Sequence, residues 1–235
     1  MVEPKCIEAL IFDFDGVVVD SEPIHCDCFR QVMKAEYGLD FTRETYFQRY
    51  LAYTDAECFH AMLEEHDKPC DAQVIARLTA RKTQLVHQAF ATSIPPMAGV
   101  VELMRQARSA GLAVGICSGA LRSEIEAAAR TVGARPFVQI IISAEDVQVG
   151  KPDPAGYMLA RAQLSRCVGR ELPGAQCLAI EDAPAGIRAA KAAGLRVLAV
   201  TNSLGKQQLA AADRVVDSLA DVTIAELHQL AGQGR

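Results

Sequence analysis

Two aspartates, Asp13 and Asp15, stand two residues apart in LIFDFDGVVVD (10–20), a stretch otherwise apolar on both faces. A bare carboxylate is expensive to bury unless it is paired, hydrogen-bonded or bound to a cation. Other apolar runs end in polar groups of complementary type. Ser118 and Gly119 follow LAVGIC (112–117), Lys151 lies in the loop after FVQIII (137–142), and Glu181 and Asp182 follow CLAI (177–180). Each group alone has an ordinary reading as a turn, a helix cap or a solvated side chain. Together they suit phosphoryl transfer. Magnesium takes oxygen ligands, a few carboxylates with phosphate and water, and Asp13, Asp15 and Asp182 can supply them. A phosphate needs charge-assisted donors, which Lys151, the Ser118 hydroxyl and backbone amides provide. One aspartate can attack phosphorus to form an aspartyl-phosphate. The other can protonate the leaving alkoxide and then deprotonate water.

That chemistry requires the groups to meet. After residue 96 helical and strand patterns alternate: MAGVVELMRQARSAG as helix, LAVGIC as strand, ALRSEIEAAARTVG as helix with a Ser123/Glu126 capping box, FVQIII as strand. PAGYMLARAQL (helix), CLAI (strand), PAGIRAAKAAG (helix), RVLAV and ADRVVD (strands) and VTIAELHQL (helix) follow. Alternation with continuously apolar strands predicts an α/β fold, a Rossmann-like doubly wound parallel sheet. Ligands of such sheets bind beyond the carboxyl ends of the strands, where all four polar groups fall. From Ile24 to Ala91 no strand is evident, only helical segments: CDCFRQVMKAEYG stopped by Gly38, TDAECFHAMLEEH capped by Thr54 or Asp55, and CDAQVIARLTARKTQLVHQAF. Ser93-Ile94-Pro95-Pro96 breaks the pattern. The expected organisation is a core of residues 1–22 and 93–235 interrupted by an all-helical cap domain, 23–92, on two connections that can act as a hinge.

Half of the 235 residues are hydrophobic, enough for a packed core. Lysine and arginine number 24 against 29 acidic residues, a net charge of −5. With no basic block, the charge gives no field to recruit nucleic acid or anionic lipid. No run approaches the roughly 18 apolar residues of a membrane span, and MVEPKCIEAL does not read as a signal peptide. The expectation is a cytoplasmic monomer with no membrane or nucleic-acid partner, its eight cysteines free thiols.

DFDGVVVDSE (13–22), CSGA (117–120), GKPDP (150–154) and IEDAPAGIRAAKAAG (180–194) resemble, in order and spacing, the motifs of the haloacid dehalogenase superfamily, in its helical-cap subclass. That subclass includes phosphoglycolate phosphatases and β-phosphoglucomutase-like enzymes. The resemblance implies magnesium as cofactor and these roles: Asp13 as nucleophile and metal ligand; Asp15 as general acid/base, giving the metal its backbone carbonyl; Ser118 and Lys151 as holders of the phosphoryl group; Asp182 as metal ligand; and Glu181 as helper through the metal's water shell. Gly16 and the Gly119 amide are minor phosphate contacts. Where the family often has Asn after the motif-two serine, this chain has Gly119-Ala120.

Within the family, Asp15 argues against the dehalogenase branch, because an alkoxide leaving group needs a proton and a halide does not. No lysine stands out near the start of the cap, which disfavours the phosphonate-cleaving branch. His25 matches a histidine common to phosphosugar mutases and related phosphatases. The mutases carry a Lys-Gly then Arg pattern where this chain has Leu51-Ala52 and then Asp55. The expected activity is therefore magnesium-dependent hydrolysis of a small phosphomonoester, a sugar phosphate or phosphoglycolate-like metabolite. A phosphosugar mutase is the alternative, and a non-catalytic binding module on the same fold remains open. Candidate substrate residues in the cap are His25, Arg49, Tyr50, Tyr53, Thr54, Asp55, Arg81 and Lys82, each with a plainer reading as packing, capping or a solvated group.

Overall fold

The computed structural model describes residues 6–50 and 53–232. It divides into two compact units, Met1–Asp20 with Ile94–Arg235, and Ser21–Ser93. The strands are β1 (Ala9–Phe12), β2 (Ala113–Cys117), β3 (Ile140–Ile142), β4 (Cys177–Glu181), β5 (Arg196–Val200) and β6 (Arg214–Val216). The helices are α1 (Glu22–Tyr37), α2 (Arg43–Arg49), α3 (Asp55–Glu64), α4 (Ala72–Thr92), α5 (Val100–Ser109), α6 (Arg122–Thr131), α7 (Ala155–Val168), α8 (Pro184–Ala192) and α9 (Ile224–Gly232). The α/β reading holds: the strands form one parallel sheet in the order β3-β2-β1-β4-β5-β6.

Register positions the site. β1 lies between β2 and β4, with Phe12 opposite both Ile116 and Ile180. The ladder runs one residue further, Asp13 N donating to Ile180 O at 2.9 Å and Ser118 N to Ile142 O at 2.9 Å. The residues after Phe12, Cys117 and Ile180 therefore leave the sheet at one edge. All four residues of β1 are fully buried, as the apolar run LIF requires of a central parallel strand. One face packs Ile11, Ala179 and Val197 against Tyr157 and Leu164 of α7 and Ile187 of α8.

In the helical unit Phe29, Met33, Tyr46, Phe59, Leu63 and Leu78 share a buried cluster. α1 begins at Glu22, four residues before the stretch read as helical, with Pro23 in its first turn, where a missing N–H costs nothing. It ends at Gly38 (φ 69°). Thr54, not Asp55, caps α3, in a capping box with Glu57.

Three local readings need correction. α2 had no helical signal; its seven residues are too few to show a period, and Thr42 caps it by accepting from Thr45 N at 3.1 Å. The box expected at Ser123/Glu126 lies two residues earlier, where Glu124 Oε2 accepts from Leu121 N at 3.2 Å, while Glu126 pairs with Arg135 at 2.8 Å. β3 spans three residues, not six, because Arg135–Phe137 forms a 3₁₀ turn that takes up the N–H groups of Phe137, which donates to Ala134 O at 3.0 Å, and Val138, which donates to Arg135 O at 3.2 Å. The eight cysteines are free. Among the described residues no helix is long and apolar enough to cross a membrane.

Candidate active site

Lys151 is the centre of the site. Its ammonium lies 2.6 Å from Asp13 Oδ1 and 2.7 Å from Glu181 Oε1, so three elements distant in sequence meet at one sheet edge. The loop carrying it passes through a cis Lys151–Pro152 peptide and enters α7, where Asp153 Oδ1 accepts from Ala155 N at 2.9 Å. Ser118, buried at the end of β2, accepts from Ala120 N at 2.9 Å through Oγ, which leaves its hydroxyl proton to donate. Cys117, Ser118, Gly119, Gly150, Lys151 and Tyr157 are among the residues around a cavity of about 170 Å³. A Cβ at Gly119 would meet nothing, so the site needs no glycine there for space.

Asp15 lies on the turn after β1, bridged to Val19, and Gly16 N donates to Val19 O at 2.9 Å. Gly16 has φ 73°, and a Cβ there would stand 1.9 Å from Asp182 Oδ2. A glycine is thus required where β1's turn presses against the end of β4. Asn202 Nδ2 donates to Gly16 O at 2.7 Å, and the Ser203 hydroxyl donates to Asp182 Oδ2.

Asp13, Glu181 and Asp182 each place a carboxylate oxygen within 4.8 Å of the others. Burial, reinforced at Asp182 by the Asp13 charge, pushes Glu181 up to about 7 and Asp182 up to about 6. Burial works against the Lys151 ammonium, but Asp13 and Glu181 outweigh it and raise its pKa. Three carboxylates face one ammonium, so the cluster is short of positive charge. Hard oxygen donors crowded together, with Glu181 and Asp182 raised in pKa, fit a divalent cation such as magnesium. Glu181 Oε1 takes two donors, Lys151 and Tyr157, whose hydroxyl donates to it at 2.5 Å, whereas Asp13 Oδ1 takes Lys151 and Asp182 Oδ2 takes Ser203, so Asp13 and Asp182 are the better-disposed ligands.

Four contributors escaped the sequence reading. Tyr157 is buried in α7 and reads there as a core aromatic. Gly186 makes room for Glu181, since a Cβ would stand 2.0 Å from its carboxyl carbon. Asn202 and Ser203 follow the apolar run RVLAV, just as the other site residues follow their strands, so the same rule applied to β5 finds them.

The expected cap residues separate into groups. His25, Asp55 and Lys82 come together: Lys82 Nζ is 2.6 Å from Asp55 Oδ1 and 2.7 Å from His25 Nδ1, and 4.6 Å over the Phe29 ring. Arg49 and Tyr50 both turn to Glu65, at 2.5 and 2.8 Å, and Tyr50 is buried. Thr54 is a helix cap, Tyr53 is half exposed, and Arg81 is exposed. Leu51 and Ala52, which bore on the mutase alternative, lie outside the described residues.

The haloacid dehalogenase-like hydrolase family matches residues 7–194. The chain is 33% identical to protein CbbY of Rhodobacter capsulatus over 200 residues, covering 82% of this chain and 84% of that protein. It is 27% identical to validoxylamine A 7'-phosphate phosphatase of Streptomyces hygroscopicus subsp. limoneus over 212 residues, 90% of this chain and 94% of the relative. Among solved structures, that of CbbY from Rhodobacter sphaeroides in complex with phosphate superposes with a TM-score of 0.77 at 28% identity, covering 92% of this chain and 96% of the other. The resemblance carried by the four motifs therefore extends over most of the chain, which belongs to the haloacid dehalogenase-like hydrolase family.

Proposed function

We propose that the protein is a magnesium-dependent phosphatase that hydrolyses a small phosphomonoester, a sugar phosphate or phosphoglycolate-like metabolite, through an aspartyl-phosphate on Asp13. The observation that carries this is the Lys151 ammonium held between Asp13 and Glu181 beside the Ser118-lined cavity.

In this reading Asp13 attacks phosphorus in line with the leaving oxygen. Lys151 and Ser118 hold the transferring oxygens, and Lys151 offsets the charge of Asp13 as substrate approaches. Asp15 protonates the leaving alkoxide and then takes a proton from the water that cleaves the aspartyl-phosphate. Gly16 and the Gly119 amide contribute backbone. Magnesium would be held by Asp13, Asp182 and the Asp15 carbonyl, with Glu181 beside them, and would supply charge that offsets the phosphate and keeps the raised carboxylates ionised. Selectivity for the leaving group is assigned to the helical unit. Two features weigh against a mutase. A second substrate phosphate needs an unshared cation, and the Lys82 ammonium already faces Asp55. A relative matched along nine-tenths of this chain is itself named a phosphatase.

Phosphate release from a panel of sugar phosphates and phosphoglycolate with magnesium, with Asp13→Asn alongside, tests the reading. Release by the wild type and none by the variant supports it. A hexose 1-phosphate converted to its 6-phosphate faster than phosphate appears would make the enzyme a mutase. Inertness of the wild type in both assays would leave a binding module.

A further inference from the structure

Tyr157 has three properties that packing alone does not require. It is fully buried in α7, yet its hydroxyl is aimed at a charged group, donating to Glu181 Oε1 at 2.5 Å. That same oxygen accepts from Lys151 Nζ at 2.7 Å. The face of the ring also lies under the lysine, its centroid 5.2 Å from Nζ. A phenylalanine would fill the space equally well and would leave Glu181 with one donor fewer.

The need for a second donor follows from how Glu181 is held. Its side chain is 1% exposed, so water does not orient it. Its other oxygen, Oε2, is buried without a hydrogen-bond partner, and Gly186 of α8 closes against the carboxyl group with no room for a methyl. The carboxylate is thus fixed through Oε1 alone. If Lys151 were its sole partner, the two would move together, and the ammonium would have only Asp13 to define its position when substrate disturbs that contact. A donor on a rigid ring, anchored by a helix, removes that freedom.

We propose that Tyr157 is a positioning residue for phosphoryl transfer: its hydroxyl fixes Glu181 so that Glu181 holds Lys151 at the point where the transferring phosphoryl group is bound. The proposal rests on the phosphatase reading above. Tyr157 acts through Glu181 on Lys151. Because the Lys151 contact matters most as charge develops on the transferring oxygens, a misplaced ammonium lowers kcat more than it raises KM.

The test uses Tyr157→Phe, which keeps the ring and its packing, assayed on the best substrate of the panel. The expected result is a fall in kcat of about ten-fold, the scale of one hydrogen bond to a charged group, with KM within about two-fold. The loss should be largely absorbed when Glu181 is already Gln: in a double-mutant cycle the two changes should be strongly non-additive. A second readout needs no turnover. In protein with ¹⁵N-labelled lysine, the Lys151 ammonium should give a signal protected from exchange, assigned by its loss in Lys151→Arg. Tyr157→Phe should weaken that protection and leave the Lys82 ammonium, assigned the same way, untouched. Unchanged kcat, additive effects in the cycle, or an unchanged Lys151 signal would each overturn the proposal; a lowered melting temperature with kcat intact would mean packing only. If the wild type hydrolyses nothing in the panel, the phosphatase reading fails, and the ammonium signal alone decides whether Tyr157 positions Lys151.

Discussion

Two lysines in this molecule occupy the same kind of place and are put to different use. Lys151, in the sheet unit, and Lys82, in the helical unit, each lie over an aromatic ring and bond a carboxylate at 2.6 Å. What differs is the remaining company. Lys151 has a second carboxylate, Glu181, and Asp182 lies close to both Asp13 and Glu181. Lys82 has one carboxylate and a neutral imidazole, for burial and then the Lys82 charge lower the His25 pKa to about 3. The first cluster has more negative than positive charge, which suits a bound cation. The second is balanced, one charge against one. An unbalanced buried cluster points to a ligand, a balanced one to a structural tie, although the geometry around the lysine is alike.

Replacing Lys151 by Met should separate the two most clearly. Turnover is expected to fall on the order of 10³-fold, because a charged contact to the transferring group is lost, and the melting temperature should fall as well, because Asp13 and the buried Glu181 lose their cation. Turnover that survives the change would make Lys151 a tie like Lys82. In the other cluster, Asp55→Ala leaves an ammonium 2% exposed facing no carboxylate; urea unfolding should show a loss of about 3 kcal/mol. A loss near zero would mean that the pair is solvated and the contrast false.

Gly16→Ala should cost about 2 kcal/mol from its left-handed backbone. It should also cut turnover, because the new methyl must displace Asp182. Calorimetry and steady-state kinetics on one preparation check both. The smallest effect concerns pH. His25 has a folded pKa of about 3 against 6.5 unfolded, so the unfolded chain binds the extra proton between those values, and stability is present above 6.5 and lost as pH falls toward 3. About 1 kcal/mol should go between pH 6.5 and 5.5, a loss absent in His25→Gln. Equal pH dependence in the variant would show that the ring is not held neutral by burial and Lys82.

Much of this was legible in the chain itself. Asp13, Asp15, Ser118, Glu181 and Asp182 are marked as candidates because a polar residue at the end of an apolar run marks the end of a strand, and parallel strands end together at one edge; Lys151 stands further on, in the loop after FVQIII. The same rule extended to RVLAV leads to Asn202 and Ser203, just past its end. α2 stayed hidden because seven residues around Tyr46 and Phe47 show no period. Tyr157 stayed hidden because a tyrosine on the inner face of a helix looks like any core aromatic.

The order of the strands and of the longer helices, the inserted helical segment and the choice of candidate groups are local properties, set by periodicity, turns and residue type, and the sequence determined them unaided. Which group faces which was decided only by the tertiary structure. Lys82 meets Asp55 across 27 residues and His25 across 57, Tyr157 meets Glu181 across 24, and Lys151 meets Asp13 across 138. Such pairings depend on strand register and on how closely helices approach, down to a missing methyl at Gly16 or Gly186. No window of sequence contains that information, because the distances are set by packing between elements and not within them.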